Sequence, residues 1–245
     1  MTSKRELSVV DTVVFTVLVY VATIVIQIYQ PVTGGYFNVG ESMIYLAALI
    51  STPLVAGVAG GVGAALADLS TGYAIFAPGT LVIKFIEGYI AGQLLKILRG
   101  KHGSLYALIT ALVYTILFLV ISTTLWAGSI YIGPEKWLHM AFSPAYVEVS
   151  VAVWIALGIG LGAVVATILL RKYITTGEVA ALAVAGSLMV LGYFLYEYFY
   201  SNPVAGREPM AAILEVPVNI GQVIVGLSIS LPLAAWLRRA GYVKS

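Results

Sequence analysis

Charge is the scarcest ingredient of this sequence. Of its 245 residues, 10% are charged and 60% hydrophobic, and the mean hydropathy is +0.99. Soluble domains carry about 25% charged residues, so this inventory cannot build a water-facing surface. The same figures exclude disorder. A nucleic-acid-binding domain needs a basic face, which a net charge of +2 does not supply; no nucleic-acid partner is expected. Cysteine is absent, which removes disulfides, thiolate metal sites and cysteine nucleophiles. Two histidines, His102 and His139, are too few for a histidine metal cluster. Also missing are the G-x-x-x-x-G-K-[ST] phosphate loop, the G-x-S-x-G elbow, the H-E-x-x-H zinc helix and any aspartate-rich diphosphate motif. Nucleotide hydrolysis, membrane proteolysis and prenyl transfer lose their signatures with them. No catalytic residue, metal or cofactor is expected. The two halves of the chain also show no duplication of the kind that inverted-repeat transporters carry.

What is present in quantity is apolar length. A bilayer core of about 30 Å needs about 20 apolar residues per helix. Candidate spans are 9–29, 41–69, 78–98, 105–127, 146–170, 179–200 and 210–237. The first is too long for a cleavable signal and lacks a small-x-small site. The second contains Ser51-Thr52-Pro53, where proline blocks a backbone donor and disfavours helix in the residue before it. It therefore divides into a short helix, 41–51, and a longer one, 53–69. The expected fold is all-α: a polytopic membrane helix bundle of about eight helical segments, in one integral membrane domain spanning 1–245.

Basic residues test this count. With the N-terminus inside, Lys4, Arg5, Lys96, Arg99, Lys101, Arg171, Lys172, Arg238, Arg239 and Lys244 are cytoplasmic. Lys136 and Arg207 are outside and Lys84 lies within a span. Reading 41–69 as a single crossing would move the 96–101 cluster outside. Both termini of this multi-pass cell-membrane protein are thus expected in the cytoplasm.

Ionisable residues inside a membrane are costly and are functional candidates. Here they gather towards one side. Glu41 starts the short second helix and Asp68 ends the third. Lys84 and Glu87 fall about 9 and 13 Å below the outer end of the fourth, at about 1.5 Å per residue. Glu197 is near the outer end of the seventh helix, while Glu215, Asn219 and Gln222 descend the eighth as one i, i+4, i+7 stripe. Lys84 and Glu87 share a face at i, i+3, as do Tyr193 with Glu197 and Glu41 with Tyr45 at i, i+4. The pattern predicts a polar cavity open to the outside above an apolar floor, with aromatic walls suited to a small, planar, hydrogen-bonding ligand. Competing readings stand beside it: a self-neutralising Lys84–Glu87 ion pair, solvated helix ends at Glu41, Asp68 and Glu215, and an interfacial aromatic belt around 196–200. The run VAGVAGGVGAALA (55–67) repeats small-xxx-small spacings, as do Gly158, Gly162 and Ala166; intramolecular helix packing is the favoured reading.

The stretch FNVGESMIYLAALISTPLVAGVAGGVGAALADLSTGYAIFAPGTLVIKFIEGYIAG (37–92), with GYFLYEYF (192–199) and EVPVNIGQVIVG (215–226) following in order, resembles the S components of energy-coupling factor (ECF) vitamin transporters, in particular the riboflavin-type and uncharacterised group. The resemblance implies a small integral subunit that captures a vitamin at the outer face. Its partners would be a membrane coupling (T) protein and two cytoplasmic ATPases, in the lipid bilayer. It implies a six-helix core (1–103 and 176–245) with an inserted helix pair (104–175). Carried onto this chain, the family pocket falls on Asn38, Glu41, Tyr45, Lys84, Glu87, Tyr193, Glu197, Glu215, Asn219 and Gln222. Thr12-xxx-Thr16 stands where many S components have an Ala-xxx-Ala docking motif. The expected function is high-affinity capture of a small vitamin-like substrate, riboflavin or a related heterocycle, for ATP-driven uptake. The cavity's acidic excess would also suit a cationic, thiamine-related ligand. The alternative is a stand-alone secondary transporter or channel whose buried acids carry protons or cations.

Overall fold

The computed structural model describes residues 8–30, 33–101, 103–125, 127–138 and 140–242. Lys4, Arg5, His102, His139 and Lys244 lie outside the described residues. Eight main helices follow one another: α1 (Val9–Val25), α2 (Glu41–Ile50), α3 (Pro53–Thr71), α4 (Ala77–Leu98), α5 (Ser104–Leu125), α6 (Val151–Leu170), α7 (Thr176–Tyr196) and α8 (Val216–Arg239). A π turn, Glu197–Ser201, and the single turn Asn202–Val204 extend α7, and a 3-10 segment, Pro209–Leu214, leads into α8. Among the described residues, five helical stretches are long and apolar enough to cross a membrane: Pro53–Thr71, Ser104–Thr124, Val151–Leu170, Thr176–Val204 and Pro209–Arg239. The chain is a multi-pass, all-α membrane bundle.

Local chemistry sets the helix ends. The break expected at Ser51-Thr52-Pro53 is there: Thr52 caps α3 by accepting from Val55 N, and Pro53 occupies the first turn, where its missing N–H costs nothing. Thr175 and Glu178 form a reciprocal capping box at the start of α7. The small-residue run of α3 is spent inside the molecule. A Cβ on Gly61 would fall 2.5 Å from Leu81 O of α4, and one on Gly63 2.7 Å from Thr16 O of α1. Backbones that close leave no room for side chains, so α3 is wedged between α1 and α4. Gly158 and Gly162 play the same part on α6, against Leu119 and Thr115 of α5.

α4 packs on α7, the short α2 packs on α8, and α5 and α6 pair with each other and join the rest mainly through α8. Tyr114 of α5 is hydrogen-bonded there to Ser228 of α8. One expected span is corrected. The segment at 146–170 is helical only from Val151, because Ala145–Val149 is a strand (β6) paired antiparallel with Gly128–Ile132 (β3). Its residues, AYVEV, alternate and are rich in Tyr and Val, which suits a strand; hydropathy alone counted them into the helix. A smaller ribbon, Lys136–Trp137 (β4) with Met140–Ala141 (β5), lies within the same connection.

Helix ends meet in two groups. At one, Glu178 of α7 receives Arg238 Nη2 at 2.7 Å and Arg99 Nε at 3.2 Å. Arg99 also donates to Leu49 O of α2, and Arg238 to Tyr173 O beyond α6. Ser51 donates to Asp11 of α1 close by in sequence. Opposite, the hairpin of Ile28–Tyr29 (β1) and Tyr36–Phe37 (β2) closes over the bundle.

Candidate functional site

The second helix is what makes a cavity. Its ten residues rise only about 15 Å, half of a bilayer core of about 30 Å. Leu49 is tied to Arg99 at the end of the bundle where Glu178 lies, so Glu41 stops near mid-depth. It lies there fully buried, not at a solvated helix end. The chain then runs outward through Asn38 and Tyr36 to the β1–β2 hairpin. The space this leaves is lined by Asn38, Lys84, Tyr193, Glu197, Glu215, Asn219 and Gln222, all expected from the sequence. Thr23, Gly35, Tyr36, Ala64, Asp68, Phe76 and Thr80 complete the wall.

Its volume is about 400 Å³. The side chains are drawn tightly together. Lys84 pairs with Glu41 and lies 3.3 Å from Glu87 Oε2, while Tyr45 donates to Glu87 Oε1 at 2.8 Å. The expected Lys84–Glu87 pair is therefore one edge of a larger network. Glu41, Tyr45 and Glu87 do not line the cavity; they stand behind Lys84 and hold it. Gly226 of α8 permits this, since a Cβ there would fall 2.7 Å from Glu41 Cβ and 3.0 Å from the Tyr45 ring. The Lys84 ammonium also lies 5.3 Å from the centre of the Tyr193 ring, and Tyr193 donates to Thr80 at 3.0 Å.

The hairpin seals one end of the cavity. Tyr36 donates to Asp68 Oδ1 at 2.6 Å; burial, and then the Asp68 carboxylate, hold its phenol well above its ordinary range, so it keeps its proton. Gln222 Nε2 donates to Tyr36 O at 3.2 Å and Thr33 donates to Glu215 Oε2 at 2.5 Å. Arg207, from the connection before α8, donates to Thr33 O. The aromatic run splits: Tyr193 faces the cavity, whereas Phe199 and Tyr200 are exposed. Ser201 and Asn202, in sequence an outer loop, are fully buried beneath the π turn.

Tyr36 and Thr80 were not singled out in the sequence. Thr80 had a readable signal, since it precedes Lys84 by four residues on the same face. Tyr36 had none, because its place depends on the hairpin. A larger apolar groove, about 1,060 Å³, lies between α5, α7 and α8. Val113, Leu117, Val179, Ile220 and Leu227 form much of its wall, so it lacks the convergent polar groups that mark the smaller cavity. Among the described residues no cluster suited to a metal ion is found.

A family model described as the S component of an ECF-type riboflavin transporter matches residues 5–175, more than half of the chain. The chain belongs to this family. The match runs on through α5, the β ribbons and α6. This is a transporter-subunit family rather than an enzyme family. A curated relative, an uncharacterized protein in gap 3'region from Pyrococcus woesei, is 50% identical over 78 residues, 32% of this chain and 52% of that protein. The chain thus spans about half the length of the curated relative it matches. No solved structure matches.

Proposed function

We propose that this S component captures a small vitamin-like heterocycle, riboflavin or a related compound, from the outer side. It then passes the ligand to an ECF module, a membrane coupling protein with two cytoplasmic ATPases, for ATP-driven uptake. The observation that carries the reading is the closed polar cavity, set at one end of the bundle and capped by the β1–β2 hairpin. Towards the other end the bundle buries Ile44, Leu49 and Leu182 almost completely. Such a one-ended site suits capture followed by a conformational release and is not a continuous path. The pocket residues proposed are Asn38, Lys84, Tyr193, Glu197, Glu215, Asn219 and Gln222, with Glu41, Tyr45 and Glu87 as supports. The absence of any nucleotide-binding motif fits an energy source on partner chains.

The test is uptake in vesicles carrying the chain with or without a coupling protein and its ATPases. Accumulation that needs ATP and the partners supports the reading. Accumulation by the chain alone, driven by an ion gradient, would establish the secondary transporter instead. Orientation is tested by cysteine labelling. The exposed Val204 replaced by cysteine should react from outside and Ser104→Cys should not; the buried Ser201 is unsuitable as the outer probe.

A further inference from the structure

The fully buried side-chain atoms at the cavity wall that lack a partner are all of one kind. Tyr36 donates to Asp68, Tyr193 to Thr80, Lys84 to Glu41 and Glu87, and Gln222 Nε2 to Tyr36 O, while the Asn219 amide lines the space without a side-chain hydrogen bond among the described residues. The buried side-chain atoms left without a partner at its wall are Asp68 Oδ2, Glu197 Oε2 and Gln222 Oε1, with Glu41 Oε2 behind Lys84. Every one is an acceptor, and each belongs to a residue at most 3% exposed. Formal charge leans the same way. Three carboxyl groups line the wall, from Asp68, Glu197 and Glu215, whereas its one ammonium, Lys84, is already paired with Glu41 and Glu87 behind it, and Arg207 is engaged at the rim with Thr33 O. An unmatched buried acceptor is costly and an unmatched buried charge more so. A donor on the ligand completes them, and a cation does so while leaving the carboxyls ionised, where otherwise they would take up protons. The aromatic faces of Tyr36, Phe76 and Tyr193 stand in the same wall, and such faces attract planar cations.

We infer that the substrate of this cavity is a cationic, hydrogen-bond-donating nitrogen heterocycle, whose positive group lies among Asp68, Glu197 and Gln222 with its ring against Tyr36, Phe76 and Tyr193. The inference rests on the capture function proposed above and narrows its ligand, separating a cationic ring from a neutral flavin.

The test uses the full chain in lipid nanodiscs. Retained small molecules are identified by mass spectrometry after denaturation, and riboflavin (neutral) and thiamine (a fixed cation) are titrated by calorimetry against wild type and Glu197→Gln. The expected result is a cation, retained or titrated, that binds Glu197→Gln at least tenfold more weakly. Asp68→Asn should weaken it in the same direction, which guards against a local folding defect in either variant. Retention or tight binding of riboflavin with no affinity for cations would overturn the inference and leave the capture function standing. A cation bound equally by wild type and both variants would overturn it too. No bound small molecule of either kind, together with ion-driven uptake by the chain alone, would overturn the capture function and this inference together.

Discussion

The two ends of the bundle each bury carboxylates, and they treat them in opposite ways. Glu178 is 1% exposed, yet its side chain is fully engaged, by Arg238, by Arg99 and by the backbone and hydroxyl of Thr175. Through those arginines it ties α2, α4, α6 and α8 to the start of α7. At the other end Asp68 and Glu197 are as deeply buried, but each keeps one oxygen without a partner. A cluster whose carboxylate is fully matched, even with Arg238 Nε left over, fixes structure, whereas carboxyls with unmatched oxygens are a cost that persists only where something else completes them. The difference separates a clasp from a binding site, although both are made of the same residue types.

The most damaging way to break this comparison is at the clasp. Glu178→Ala leaves the Arg238 guanidinium, 10% exposed, without its carboxylate. Removing one member of a buried pair costs about 3–5 kcal/mol; the half-exposed Arg99 adds little, because water screens it. A destabilisation of about 3 kcal/mol, read as a lowered thermal midpoint in detergent, is expected, while the fraction that stays folded binds ligand with unchanged affinity. Lost affinity with an intact midpoint would reverse the roles assigned to the two ends.

The next effect belongs to the cavity and has the opposite signature. Asn219→Leu removes an amide that lines the space and forms no side-chain hydrogen bond among the described residues. Folding should tolerate it, because no partner inside the protein is stranded. Ligand affinity should fall by more than about tenfold, since a group left unmatched on the ligand costs roughly 1–3 kcal/mol. Calorimetry and a thermal melt on the same sample separate the two readouts; unchanged affinity would remove the α8 stripe from the pocket.

How far these contrasts were legible in the sequence depended on whether they were local. The α2–α3 break followed from Pro53, and the i, i+4, i+7 stripe put Asn219 and Gln222 on the cavity side of α8, as found. The small-residue run of α3 implied close packing, though not that α1 and α4 would share it. Depth was less readable. Glu41 begins a helix, and helix starts are ordinarily wet, but a ten-residue helix fixed at its other end carries its first residue to mid-bundle. Spacing also ranked Tyr45 and Glu87 with the pocket, whereas tertiary packing placed them behind Lys84. The β ribbons were hidden because Tyr and Val serve strand and membrane helix alike.

Those ribbons give the smallest effect and the finest test of the contrast. Trp137 Nε1 donates to Tyr20 at 2.9 Å, Tyr20 donates to Ser70, and Leu138 N donates to Ser70 O. The α5–α6 connection is thereby pinned to the C-terminal ends of α1 and α3, beside the hairpin that caps the cavity, where Gly133 N also reaches Gln27 O. Trp137→Phe deletes one partly buried hydrogen bond, worth about 1 kcal/mol or less, while keeping an aromatic ring. The thermal midpoint should barely move. Amide exchange should quicken across 128–149 and in the hairpin at 28–37, and stay unchanged around Glu178. That pattern is expected because the cavity end is held by scattered single bonds, and local opening draws on the least-tied segments. Equal loosening at both ends would mean that the clasp and the cap form one cooperative unit, and the division between a fixed clasp end and a yielding cavity end would fall.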